Sequence, residues 1–198
     1  MLRVGERVVG EVAAAAAAAA RVPVPRVLGQ IDGAVLLELV PGRPAGDVAD
    51  PEHAAAAGRA CGALHERLAA VAAPEGLRAL PGRERSLLHL DLHPYNVLVG
   101  DDGEVTAVID WTNAAAGDPQ LDAARTWSIL TLDPAALALR TEPGWVALSD
   151  AWLDGLPEIP AAARAWACRF MLADLGMRLD PAALAPVREA LRRVEGTP

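Results

Sequence analysis

Four polar residues crowd the stretch Leu87–Trp111: His89, Asp91, His93 and Asn96 lie within eight positions, and Asp110 closes the segment. Between them sit two short β-branched runs, Val97-Leu98-Val99 and Val105 to Ile109, joined by Gly100-Asp101-Asp102-Gly103. Such runs around a Gly/Asp turn predict a hairpin. Its open end brings Asp91, Asn96 and Asp110 together. Two carboxylates and an amide oxygen form a hard, all-oxygen donor set suited to Mg²⁺, which keeps waters and shares phosphate oxygens. Alternatively, one carboxylate can accept the proton of an attacking hydroxyl. Together these are the parts of phosphoryl transfer: a loop Asp, an Asn five residues on, and a metal-holding Asp after the next strand pair. Two other readings stand beside it. The alternation His89-x-Asp91-x-His93 would put three ligands on one face of a strand, as in a transition-metal hydrolase. Any one of these residues alone would also fit a polar turn between core strands.

The elements around this stretch can be read from caps and breakers. Met1 to Val4 is expected to end a strand, Gly5-Glu6 to turn, and Arg7 to Ala20 to form an Ala-driven helix stopped by Pro23 and Pro25. Arg26–Leu28 and Ala34–Val40 read as strands around Asp32-Gly33, followed by a hinge at Leu39 to Pro44. Asp50-Pro51 starts a helix running to about Val71 that contains His65, and Asp133-Pro134 and Asp180-Pro181 repeat that start signal. Residues 74–86 are a Pro-, Gly- and Arg-rich connection. The remainder is helical, with Asp150, Asp154 and Glu158 available to an acidic pocket.

Composition narrows the partners. With 53% hydrophobic residues but only 4% aromatics, the 198-residue chain must fill its core with Ala, Leu and Val. The net charge of −8 argues against nucleic acid, which needs a basic face, and would suit a cationic small-molecule acceptor. There is no lysine. Cys61 and Cys168 form no disulfide framework or metal spacing and read as core residues of a cytoplasmic protein. The Ala13–Ala20 run follows Glu6 and Glu11 and is too weakly apolar for a signal peptide. No segment approaches a membrane span of ~20 apolar residues.

The segment H-L-D-L-H-P-Y-N at 89–96, followed by V-I-D-W at 108–111, resembles the catalytic core of the aminoglycoside phosphotransferase and choline kinase-like family. Gly117-Asp118-Pro119-Gln120-Leu121-Asp122-Ala123-Ala124 resembles that family's G-D-P-x-x-D-x-A segment, and the likeness covers roughly residues 5–130. Leu90 departs from the pattern, where the family usually has Gly. The resemblance implies an α+β, protein-kinase-like fold. A partial N-terminal lobe and hinge would span residues 1–42, and a mostly helical lobe for catalysis and acceptor binding residues 43–198. It implies ATP-dependent transfer to a hydroxyl. Asp91 would be the base, with His89 and Asn96 beside it, Asn96 and Asp110 the Mg²⁺ ligands, and Asp122 and His65 structural supports. Adenine would meet the backbone at Glu38 to Val40, and Glu11 would pair with the cation that holds the phosphates. That cation is normally a lysine; here Arg3 is the expected surrogate. The family's nucleotide-covering loop has no counterpart upstream. The chain is therefore expected to be a truncated kinase fold, a sequence whose start lies further upstream, or a non-catalytic nucleotide- or ligand-binding relative.

Overall fold

The computed structural model describes residues 4–31, 34–82 and 85–196, with side chains throughout these except at 4–9, 30, 31 and 34. Arg3 and the Asp32-Gly33 turn lie outside the described residues. The first helix, α1, spans Val4–Ala19. It includes Val4, Gly5 and Glu6, where a strand end and a turn were expected. It stops at Arg21, whose φ of 63° is left-handed, and the Pro-rich linker that follows joins the core: the Val108 N–H donates to the Pro23 carbonyl at 2.8 Å. Strands β1 (Val27–Ile31) and β2 (Ala34–Leu37) form an antiparallel pair. It ends sooner than the expected Ala34–Val40 strand, although Glu38 N–H still reaches the Arg26 carbonyl.

The rest builds two small sheets among helices. In chain order these elements are β3 (Arg43–Pro44), α2 (Pro51–Ala69), β4 (Arg78–Ala79), β5 (Ser86–Leu88), β6 (Val97–Val99), β7 (Val105–Val108), β8 (Ala115–Gly117) and α3 (Pro119–Leu132). Then come α4 (Pro134–Ala138), α5 (Pro143–Asp154), α6 (Ala161–Leu175) and α7 (Ala185–Glu195). One sheet has the order β3-β6-β7 and the other β4-β8-β5. The expected hairpin is β6–β7, antiparallel, with Val97 opposite Val108.

Three helices share one start device. Asp50, Asp118 and Asp133 each accept a backbone N–H with the side chain, and Pro occupies the first turn. Asp180 makes the same cap, accepting the Ala182 N–H at 2.7 Å, but successive tight turns follow and α7 begins only at Ala185. Pro186 accounts for this, because it has no N–H to continue a helix begun at Pro181.

With few aromatics, the core closes by close approach of backbones. Gly58 and Gly62 of α2 face α5: a Cβ at Gly58 would overlap the Leu148 carbonyl oxygen, and one at Gly62 would lie 3.1 Å from the Gly155 Cα. This contact buries Leu64, Leu68, Leu148 and Trp152 against the strands. Cys61 and Cys168 are buried and free, as expected of core residues.

Candidate active site

The loop carrying Asp91 is held from below by α3. Asp122, in the first turn of α3, accepts the His89 and Leu90 N–H groups on one oxygen, at 2.9 and 2.6 Å. One turn on, the Thr126 hydroxyl donates to the Leu92 carbonyl at 2.8 Å. The other Asp122 oxygen lies 3.5 Å from His65 Nδ1. His65 Nε2 accepts the indole N–H of Trp152 at 3.3 Å; an indole can only donate, so the ring proton sits on Nδ1 and faces the carboxylate. The path Trp152–His65–Asp122 thus runs from the α2–α5 contact to the loop. Burial alone would raise the Asp122 carboxyl, but the His65 ring and the Leu90 and His89 groups hold it below its ordinary value.

His89 is fully buried, against the Trp111 ring at 4.6 Å. Its Nδ1 accepts the Asp91 N–H at 3.3 Å and its Nε2 meets the Ile109 carbonyl at 3.0 Å. That pattern requires the neutral ring with its proton on Nε2, and burial lowers the His89 pKa accordingly. Leu90 adopts a left-handed φ of 63° while fully buried. The conformation that glycine would take freely is imposed here on a leucine whose side chain packs among Leu88, Ala123 and Ala124.

At the hairpin end, Asn96 N–H donates to the His93 carbonyl and Asn96 C=O accepts from Ile109 N–H. The Asn96 side-chain amide donates to the Asp91 carbonyl at 2.9 Å. Its Oδ1 has no donor among the described residues. Asp110, next to Ile109, is also left-handed, at φ 60°, and exposed. The Thr112 hydroxyl holds one of its oxygens at 2.6 Å, which leaves the other for a cation. Register therefore brings Asp91, Asn96 and Asp110 to one edge, and the outward oxygens of Asn96 and Asp110 fit a hard divalent ion.

The transition-metal alternative does not fit. Both His89 nitrogens are engaged, and among the described residues no group of three His, Cys, Asp or Glu side chains could hold a metal.

Two cavities flank this edge. The larger, ≈ 460 Å³, has Asp91, His93 and Tyr95 on one wall and Arg125, Asp133, Trp145 and Asp174 on others. His93 also accepts the Tyr95 N–H on Nδ1, and burial lowers its pKa. The second cavity, ≈ 220 Å³, is mostly apolar and lies between α1, the β1–β2 pair and the end of β7; Glu11, Leu37, Asp110 and Trp111 line it. Glu38 and Val40 do not line it. The Glu38 carboxylate pairs with Arg26 at 2.7 Å. Asp150, Asp154 and Glu158 are exposed and line neither cavity, because α5 turns its Leu and Trp face toward α2. The acidic groups of the larger cavity, besides Asp91, are instead Asp133 and Asp174. One sign of Arg125 was available in sequence: it follows Asp122 by three and precedes Thr126, so all three share a face of α3. Burial lowers the Arg125 guanidinium from its ordinary value, and Asp91 is the strongest opposing charge.

Comparison with known proteins bears on the family and the fold. The sequence model of the Phosphotransferase enzyme family matches residues 74–166. An uncharacterized protein of Bacillus subtilis (strain 168), YcbJ, is 49% identical over 37 residues, which is 19% of this chain and 12% of that protein. The fold matches macrolide 2'-phosphotransferase MphH from Brachybacterium faecium, at 22% identity and a TM-score of 0.54 over 98% of this chain and 81% of that one. It also matches an aminoglycoside-3'-phosphotransferase of type VIII, at 22% identity and 0.55, over 94% and 80%. A thermostable aminoglycoside phosphotransferase APH(4)-Ia, solved in a ternary complex with AMP-PNP and hygromycin B, gives 17% identity and 0.58, over 98% and 83%. The chain thus has the α+β, kinase-like fold of these phosphotransferases.

Proposed function

We propose that this chain transfers the terminal phosphoryl group of ATP to a hydroxyl of a small molecule in the cytoplasm. One observation carries the reading: Asp91 forms part of the wall of the larger cavity, while Asn96 and Asp110 present oxygens at the adjoining hairpin end. The family match over residues 74–166 and the nucleotide complex of a structural relative support it. In this reading residues 43–198 carry the catalytic groups and the acceptor site. Residues 1–42 form the remainder of a nucleotide cleft.

Asp91 orients the acceptor hydroxyl and takes its proton as the oxygen bonds to the γ-phosphorus. The bond from that phosphorus to the β–γ bridging oxygen breaks, and ADP leaves with the electron pair. Asn96 and Asp110 would hold Mg²⁺, which when bound neutralises charge on the phosphate oxygens. His89, locked neutral, fixes the Asp91 backbone. Glu11 faces the smaller cavity, where the adenine end of the nucleotide fits beside β1–β2; Glu38 to Val40, which follow Leu37 of its lining, are the proposed adenine-binding backbone. Arg3 is the proposed cation for the phosphates.

ADP release from Mg–ATP, measured across hydroxyl acceptors, tests the assignment. Asp91→Asn should lower turnover by about 10²-fold or more while ATP affinity stays in place. Normal turnover in that variant removes Asp91 from the mechanism. A parent chain that binds Mg–ATP but releases no ADP with any acceptor is a nucleotide-binding relative instead.

A further inference from the structure

Arg125 is the most unusual charge in the molecule. It is 4% exposed and forms part of the wall of the larger cavity, yet its guanidinium is largely unpaired. Nη1 donates to the Ser128 hydroxyl at 3.2 Å. Nη2 stands 4.0 Å from the nearer Asp174 oxygen, beyond hydrogen-bonding distance. Nε is buried with no acceptor at all. The plane rests on the Phe170 ring, 4.8 Å from its centroid, so the group is fixed in orientation. Nη1 is filled and Nε is closed off inside the protein; Nη2 is the corner left toward the cavity, where a carboxylate can accept a charge-assisted hydrogen bond. Asp174 does not fill that corner because its other oxygen is held by Arg178 at 2.7 Å. A buried guanidinium with most of its donors idle is costly in a structural role, since buried charges are normally paired. Across the same cavity Asp133 carries a charge with no ion-pair partner among the described residues.

We infer that Arg125 docks a carboxylate of the acceptor, with Asp133 meeting an amine, so that the acceptor is a hydroxylated amino acid or a compound with that charge pattern. The net acidity of the chain alone had suggested a simple cation. This inference rests on the proposed function only in taking the larger cavity as the acceptor site. Arg125 is absent from the lining of the nucleotide-side cavity, which separates it from the phosphate-holding groups.

The Arg125 Nε–H resonance of the ¹⁵N-labelled full chain reports the state of this guanidinium and requires no variant. It is titrated with two matched pairs, serine with ethanolamine and tyrosine with tyramine, each differing only by the carboxylate, and with inorganic phosphate. At least one amino acid should shift the resonance and slow its hydrogen exchange, binding about tenfold or more tighter than its amine partner. Arg125→Gln should remove most of that preference, because the cationic donor is lost while a polar side chain remains. No response to either amino acid, equal binding by amines, or a response to phosphate alone overturns the inference. ADP release is followed with the same compounds. Turnover with the amines only leaves phosphoryl transfer standing and removes the carboxylate site. A carboxylate-specific shift without ADP release does the reverse.

Discussion

Asp122 offers the sharpest test of how the candidate site is held. Its buried Oδ1 accepts two backbone N–H groups, from His89 and Leu90, and its Oδ2 faces the His65 ring proton. Asp122→Ala leaves those two donors buried and unsatisfied. Each orphaned group costs about 1–3 kcal/mol, so the loss is about 3–5 kcal/mol once partial relaxation is allowed. A domain of this size has about 5–15 kcal/mol in total, so the variant should remain folded but fragile. At roughly 3 °C per kcal/mol, Tm should fall by about 12 °C. Asp122→Asn keeps an acceptor for the two N–H groups but sets an amide against the His65 proton, and should cost about 1–2 kcal/mol. Urea unfolding followed by circular dichroism gives both values, and hydrogen exchange at His89 and Leu90 localises the effect. If Asp122→Ala costs less than about 1 kcal/mol, the loop is held by something other than this carboxylate.

Asp110→Asn should weaken Mg–ATP binding by about tenfold or more in calorimetry, since one hard anionic ligand is lost; an unchanged affinity would place the metal elsewhere. Stability should fall on acidification. His89 is depressed below 6.5 in the fold by burial, so below that pH the unfolded chain takes up a proton that the folded chain refuses. Asp122 is depressed below 3.8, so its share persists above that value and is lost as pH falls through its folded value. Tm scans from about pH 7.5 down to about pH 4 should show a decline beginning near the histidine range, and a flat profile would contradict a neutral buried His89. Leu90→Gly relieves a left-handed residue worth about 1–2 kcal/mol but empties a buried leucine worth about 2–5 kcal/mol. The net should be a loss of about 1–3 kcal/mol by urea unfolding, and a more stable variant would show that backbone strain dominates.

What could be read from the chain alone follows from where physics leaves a side-chain mark. Proton and cation chemistry requires particular residues at short spacings, so Asp91, Asn96 and Asp110 could be singled out, and β-branched runs around a turn gave their hairpin; Asp122 came only with the family resemblance. The Asp-Pro starts at 50 and 133 were equally plain, because capping is local. At Asp180 the cap formed but the helix was delayed to Ala185 by a proline six residues away, an influence that no cap signal contains. The cavities were hidden for a different reason. Arg125, Asp133, Trp145 and Asp174 come from separate helices and share no spacing; only the packing of α3 to α6 makes them neighbours. Apart from Glu11, Asp110, Trp111 and Thr112, the smaller cavity is lined by Val, Leu, Ile, Ala, Gly and Pro residues, which any core would use. Asp150 and Asp154 misled because their charge was visible while the direction of their helix face was not.

The absence of a side chain at Gly58 reaches further than its position suggests. Gly58 touches neither cavity, yet any Cβ there displaces the Leu148 carbonyl and with it α5. That helix bears Trp145, which walls the larger cavity, and Trp152, which donates to His65. A single methyl group outside both cavities would therefore be felt twice, once as a change in the shape of the cavity and once as slack in the loop carrying Asp91. The width of the recess and the firmness of its floor are geared to one helix spacing, so this contact cannot alter the first without disturbing the second. In the proposed reading, tolerance for new acceptors would belong instead to another wall, where Asp174 and Arg178 stand at the exposed end of α6.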